Sequence, residues 1–159
     1  MTSSEKPAYT VRDIHEDDFV SWKDHFVKYG VFYETEFTDA IVQGVWEWLM
    51  DDSAQLSAVV AVAPEGAPDP GRVAAFGLYR RLPDTFTASW GWFMDDLYVD
   101  PEHRGAGVAG TIIDDIAARA AEDGGGKLRW ITNKENDSAK RLYDKVADRT
   151  SWILYEKNV

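Results

Sequence analysis

The chain contains no cysteine in its 159 residues. Disulfides, thiolate metal sites and a cysteine nucleophile are therefore excluded. Histidine is scarce, and His15, His25 and His103 lack ligand-like spacing, so no metal site is legible. Positive charge is also short: 17 Lys and Arg stand against 28 Asp and Glu, a formal net charge of −11. That balance lacks the basic footprint a nucleic-acid partner requires and suits a small cationic ligand. The purest aliphatic run, Ala58 to Ala63, is far too short to cross a bilayer. Met1-Thr-Ser-Ser-Glu-Lys6 carries no apolar signal core. These absences point to a soluble, cytoplasmic protein without a membrane partner.

Core-forming residues are plentiful, with a 45% apolar fraction and seven Trp. A single domain over residues 1–159 is expected, burying about two-thirds of its unfolded surface. Tyr9 to Ile14 reads as an edge strand. Asp17 and Asp18 open a helix with Phe19, Trp22, Phe26 and Tyr29 on one face, and Gly30 is its expected stop. Thr38 is the expected cap of a second helix, faced by Ile41, Val45, Trp46 and Leu49. Leu56 to Ala63 and Arg72 to Arg80 form an antiparallel pair, with a loop expected around Pro83 and Asp84.

The stretch from Met94 to Gly110 organises the rest: strand, glycine-rich turn, helix. Pro101 stops the strand because it has no N–H to donate. Gly105, Gly107 and Gly110 allow tight turning and bring bare N–H groups to a ligand. A helix N-terminus follows, and with Arg104 it makes a phosphate site. Leu128 to Thr132 is the next strand, parallel to the first by right-handed crossover. A helix with Ala139, Leu142, Tyr143 and Val146 on one face follows, and Thr150 to Lys157 is the expected last strand. The order implies an α+β fold around a mixed sheet.

Gly105-Ala106-Gly107-Val108-Ala109-Gly110 also matches the dinucleotide fingerprint G-x-G-x-x-G. That fingerprint belongs directly after a strand, with an acidic residue closing the next one. Here Pro101 to Arg104 intervene and the next strand ends in Asn133, so the context fails. Arg104-x-x-Gly107-x-Ala109, preceded by Leu97-Tyr-Val-Asp-Pro-Glu-His-Arg104, instead resembles the acyl-CoA pyrophosphate loop of the GNAT superfamily of N-acetyltransferases. Asn136-x-x-Ala139-x-x-Leu142-Tyr143 is similar to a second motif of that superfamily, and the element order resembles its fold over nearly the whole chain. Asp96-Leu-Tyr-Val99, Trp130-x-Thr132 and Phe32-Tyr33 look most like the branch with fungal histone, polyamine and D-amino-acid acetyltransferases. The segment after Tyr143 departs from the family, with Lys145-Val-Ala-Asp-Arg-Thr150 and a single strand in place of a hairpin.

The resemblance implies acetyl-CoA as co-substrate, no metal, and a small primary amine as acceptor. Its pyrophosphate would lie on Arg104, Gly105, Ala106, Gly107, Val108, Ala109 and Gly110, and its pantetheine arm along Leu97, Tyr98 and Val99. A backbone N–H near Leu97 would hold the acetyl oxygen, and Asn136 would bond the arm or cap its helix. Tyr143 is the implied general acid. Asp95, Asp96 and Glu34 are all candidate bases, and strand alternation predicts that Asp95 and Asp96 face opposite sides. Glu34, Glu36 and Asp39, walled by Phe32, Tyr33 and Trp92, form a candidate cation pocket. A homodimer through the last strand and a non-catalytic acyl-CoA-binding module are the further expectations.

Overall fold

A computed structural model describes residues 8–159. The segment Met1–Lys6, read above as free of a signal core, lies outside the described residues. Five strands form one sheet in the order β1-β2-β3-β4-β5. They are β1 (Thr10–Asp13), β2 (Leu56–Val62), β3 (Val73–Asp84), β4 (Ser89–Val99) and β5 (Leu128–Arg129). Only β4 and β5 run parallel; every other neighbour is antiparallel. The helices are α1 (Phe19–Phe32), α2 (Asp39–Met50), α3 (Val108–Glu122) and α4 (Asp137–Val146). This is the α+β mixed sheet that the sequence implies.

Both faces of the sheet are covered, and the period-two pattern of β2 shows how. Val59 and Ala61 face Ile112, Ile113 and Ile116 of α3. Ala58 and Val60 face Trp22 and Phe26 of α1 and Val42 of α2. Full burial of each such aliphatic or aromatic side chain contributes about 1.5–3 kcal/mol. The start of α1 is tied to β1 by Arg12, whose guanidinium donates to both oxygens of the buried Asp18 at 2.7 and 3.0 Å. Thr38 caps α2 as expected, its hydroxyl accepting from the Ile41 N–H at 3.3 Å.

Several local expectations are corrected. Gly30 does not stop α1, which runs on to Phe32. It is there for close approach: a Cβ would lie 2.8 Å from Phe37 and 2.9 Å from the Thr35 carbonyl. No loop forms at Pro83 and Asp84, because β3 continues through both. Pairing of β3 with β2 ends at Arg80, so the missing proline N–H can face a free edge without cost. The strand expected at Leu128 to Thr132 pairs with β4 only through Leu128 and Arg129.

The largest correction concerns Thr150 to Lys157, which forms no strand among the described residues. Trp152, Ile153, Leu154 and Tyr155 stand 73%, 75%, 63% and 87% exposed. β-propensity expresses side-chain packing on a neighbouring strand, and no strand of the described chain lies alongside.

Candidate active site

The site is built on β4. Leu78 lies opposite Asp96 and Tyr79 opposite Met94, so Asp95 is an extra residue with no partner on β3. Such a bulge twists the strand and re-aims its side chains. The expectation that Asp95 and Asp96 face opposite ways therefore fails. Both carboxylates line one cavity of about 360 Å³, with Phe26, Trp48, Leu78 and Arg80 among its other walls. Arg80 donates from Nε to both Asp95 oxygens at 2.9 and 3.1 Å, and its guanidinium lies 5.2 Å from the Phe93 ring centre. Asp96 is more enclosed. Burial raises its carboxyl above the ordinary range and nearby Asp95 adds to this, against a hydrogen bond from Tyr29.

The far edge of β4 opens beyond this point. β5 pairs with it only at Trp92 and Phe93, and from Met94 to Val99 that edge has no strand partner among the described residues. Leu97 and Val99 pack on the α3 side while Tyr98 is buried on the other, beside the rings of Tyr29 and Phe76. The side chains thus fix the strand and leave backbone groups for an extended ligand to pair with.

That edge runs directly into the glycine turn. Gly105 and Gly107 hold φ values of +80° and +77°, the left-handed region where a Cβ is costly. Gly107 is also the N-cap of α3 and brings no side chain to cap it. The N–H groups of the first turn, from Val108 to Gly110, are left for solvent or an anion. No atom lies within 4 Å of where a Cβ would stand on Gly105 or Gly107, so the approach is open. Gly110 is a correction: it lies inside α3, where a Cβ would stand 3.9 Å from Leu142, and bends nothing. Arg104 folds back, its Nε donating to the Val99 carbonyl at 3.2 Å. Two histidines brace this corner. His103 is hydrogen-bonded to the Tyr9 hydroxyl at 2.8 Å, and His25 binds the Val73 carbonyl at 2.8 Å with Nδ1 3.6 Å from Asp100.

Across the gap stands α4. Asn136 is its N-cap, accepting from the Ala139 N–H at 3.3 Å, and its amide reaches the Thr132 hydroxyl at 3.5 Å. Tyr143 is half-buried, and its ring meets Trp130 edge to face at 5.4 Å. Burial pushes its phenol up to about 12, with a smaller contribution from Tyr33. Burial raises the Tyr33 phenol, with Asn136 and Thr132 close enough to offset part of that rise, and its ring lies 5.0 Å from that of Tyr29. Tyr29, Tyr33, Asp96, Asn136 and Tyr143 therefore form one polar group inside aromatic walls. Sequence reasoning placed Tyr29 in the core and gave Thr132 no role. The four-residue spacing of Tyr29 in the last turn of α1 and Tyr33 at its C-cap was the available signal.

The other acidic residues do not join this group. Glu34 sits in a left-handed turn after α1, exposed, and its carboxylate has no hydrogen bond or ion pair among the described residues. Asp39 pairs with Lys23 at 3.1 Å. Trp92 is packed against Tyr79 on the α3 side of the sheet, so it cannot wall a pocket with Phe32 and Tyr33. An open cleft of about 590 Å³ at the β3–β4 turn, lined by Pro83, Asp84, Trp90 and Asp123, holds none of the group.

Residues 8–147 match the model of the acetyltransferase (GNAT) family. The chain belongs to the GNAT acetyltransferase family. It is accordingly an enzyme that transfers acetyl groups, and the alternative of a non-catalytic module is set aside. A D-amino-acid N-acetyltransferase of Saccharomyces cerevisiae is 27% identical over 162 aligned positions, covering 98% of each chain. A thialysine N-epsilon-acetyltransferase of Sus scrofa is 32% identical over 94 residues, 59% of this chain and 54% of that protein. The GNAT fold recurs in a ribosomal-protein-alanine N-acetyltransferase of Brucella melitensis at TM-score 0.75 and 22% identity, over 96% of this chain and 100% of that one. It recurs again in AAC(6')-Iy, crystallised with a CoA-linked bisubstrate analogue, at TM-score 0.77 and 17% identity over 96% and 99%. No helix among the described residues is long and apolar enough to cross a membrane.

Proposed function

We propose that the protein moves the acetyl group of acetyl-CoA to the amine of a small acceptor by direct attack in a ternary complex. One observation carries this reading: the unpaired edge of β4, from Met94 to Val99, leads straight into the uncapped N-terminus of α3. An extended pantetheine arm fits the first and a diphosphate the second. Arg104 adds a cation beside the diphosphate, and Asn136 both caps α4 and borders the thioester end.

The acceptor nitrogen attacks the thioester carbonyl carbon. The oxygen gathers negative charge, and a backbone N–H near Leu97, on the edge that β5 leaves unpaired, stabilises it. The C–S bond then breaks, and the departing thiolate takes a proton from the Tyr143 hydroxyl. A phenol raised to about 12 is fully protonated at neutral pH, and the phenolate left by the transfer is basic enough to regain its proton from solvent before the next turnover. The attacking nitrogen must shed a proton, since a free alkylammonium has a pKa of about 10.4. Asp96 is the base, directly or through a water, because its raised carboxyl makes it more basic than a solvated one. Asp95, held by Arg80, shapes the acceptor cavity, and Glu34 takes no part in this scheme.

The acceptor is a small amine that also carries a carboxylate, an amino-acid-like molecule. Asp95 and Asp96 suit its ammonium, while the outer edge of the Arg80 guanidinium suits its carboxylate. The two curated relatives named above, which by name act on amino acids, support this class. The test is thiol release from acetyl-CoA, which this cysteine-free chain permits without background. Turnover is expected with free amino acids, and lower with the matching amino-acid amides. No thiol release across amines of either kind would overturn the reading.

A further inference from the structure

The acetyl-transfer scheme uses only one end of the acceptor cavity. Asp95 and Asp96 stand there on β4 with Arg80 beside them, and no other ionisable side chain lines the space of about 360 Å³. The opposite end is apolar. It is lined by Leu56 of β2, by Val45 and Trp48 of α2, and by Ala54 in the turn that follows α2. Leu78 lies between the two ends, opposite Asp96 of β4 on one side and Ala58 of β2 on the other. Neighbouring strands are about 4.8 Å apart, so the cavity reaches roughly 10 Å from β4 to β2.

Trp48 is the wall that packing leaves unexplained. Trp46, two positions earlier, turns to the core and meets Phe19 at 5.0 Å and Trp22 at 5.3 Å. Residues two apart on a helix do not share a face, whereas Val45 and Trp48, three apart, do. Trp48 accordingly takes no place in either buried cluster and stays 57% exposed. A ring of this size contributes most where apolar surface is laid against it, and the only hollow it borders is this cavity.

An α-amino acid with its ammonium at Asp96 and its carboxylate on the outer edge of Arg80 has the apolar end left for its side chain. We propose, on the amino-acid reading of this site, that the acceptor carries a bulky apolar side chain, which Val45, Trp48 and Leu56 receive. Phenylalanine, leucine and methionine fill the length that alanine leaves empty. A second ammonium at that end, as in ornithine, gives up its hydration and meets no carboxylate. Asp51, just past α2, does not line the space; its carboxylate is turned to the Ser53 N–H and hydroxyl at 2.9 and 2.7 Å. Trp48 is thus a specificity-determining residue, remote from the atoms that react.

The test is the rate of thiol release from acetyl-CoA with phenylalanine, leucine, methionine, alanine and ornithine, each supplied as both enantiomers. For the better enantiomer of each, kcat/KM for phenylalanine is expected to exceed that for alanine by about tenfold or more, the worth of a fitted apolar group. Ornithine is expected to fall below phenylalanine by a similar factor. Trp48→Ala should narrow the phenylalanine-to-alanine ratio, chiefly through KM. Trp48→Glu, which sets a carboxylate at the apolar end, should shift the preference towards ornithine. Because position 48 is exposed, both variants keep the fold, and far-UV circular dichroism checks this. Equal kcat/KM for alanine and phenylalanine, a wild-type preference for ornithine, or ratios that neither substitution moves would overturn the proposal and leave the amino-acid reading standing. No thiol release with any amino acid would bring down that reading, and the proposal with it.

Discussion

Tyr143 and Trp130 meet edge to face with ring centroids 5.4 Å apart and planes at 71°. That contact holds α4 against the chain leaving β5, where the sheet has parted and a thioester can enter. It sets the phenol at the mouth of the gap with one side against a ring and its hydroxyl available.

Tyr143→Phe keeps the ring contact and removes only the hydroxyl. kcat is expected to fall by about 10²–10⁴, the usual worth of a positioned acid. The dissociation constant for acetyl-CoA should change little, because the diphosphate and arm contacts remain. Single-turnover thiol release and equilibrium binding check the two halves. Equal loss in both would make Tyr143 a binding group.

Much of this site was legible in the sequence, and the reasons are local. Arg104, Gly107 and Tyr143 sit in short motifs whose geometry is set by neighbours a few residues away. The bulge at Asp95 was not legible, because it is a register shift between β3 and β4 that neither strand shows alone. Alternation therefore misassigned Asp95, and only the paired strand corrects it. Gly30 was misread for a similar reason: its need is the return of Phe37, not a helix end. The last strand failed because strand-forming residues specify a strand only where a neighbouring strand packs beside them, and none of the described strands does.

Asp96→Asn separates catalysis from stability. The folded protein disfavours the ionised carboxyl by burial, so its pKa is raised above the unfolded value. A group of this kind binds more protons in the folded state, and its contribution to stability declines as pH rises through the folded-state pKa. Removing the charge should leave stability at neutral pH equal or slightly higher. Turnover should fall by about 10²–10⁴. In the wild type the acid limb of kcat/KM should lie above the ~3.9 of a free Asp, and in the variant it should be lost. Thermal unfolding and a pH–rate profile provide both readings.

The Arg12–Asp18 pair has the opposite sign. Burial alone would raise the Asp18 carboxyl, but the bonds from Arg12 and the His15 N–H hold it below the ordinary range. Its stabilisation is present above the unfolded pKa of ~3.9 and is lost as pH falls through the folded value. Asp18→Asn is expected to cost about 1–3 kcal/mol at neutral pH, discounted because Arg12 remains a third exposed. The gap to wild type should close in acid. A constant gap from neutral pH down to pH 2 would show that charge is not the cause.

Gly107→Ala tests the turn. Its φ of +77° makes a side chain cost about 1–2 kcal/mol in stability. Nothing lies within 4 Å of the added methyl, so no clash compounds the strain. Acetyl-CoA affinity should drop by at least tenfold, with Arg104→Ala giving a loss that shrinks at high salt. Calorimetric titration at two ionic strengths reads both.

The central claim is that coenzyme A lies along the open edge of β4 and over the start of α3. Amide hydrogen exchange with and without acetyl-CoA measures this most directly. The account predicts added protection in two runs, Met94 to Val99 and Gly105 to Gly110. Protection confined to other segments, or none at saturating acetyl-CoA, would contradict it.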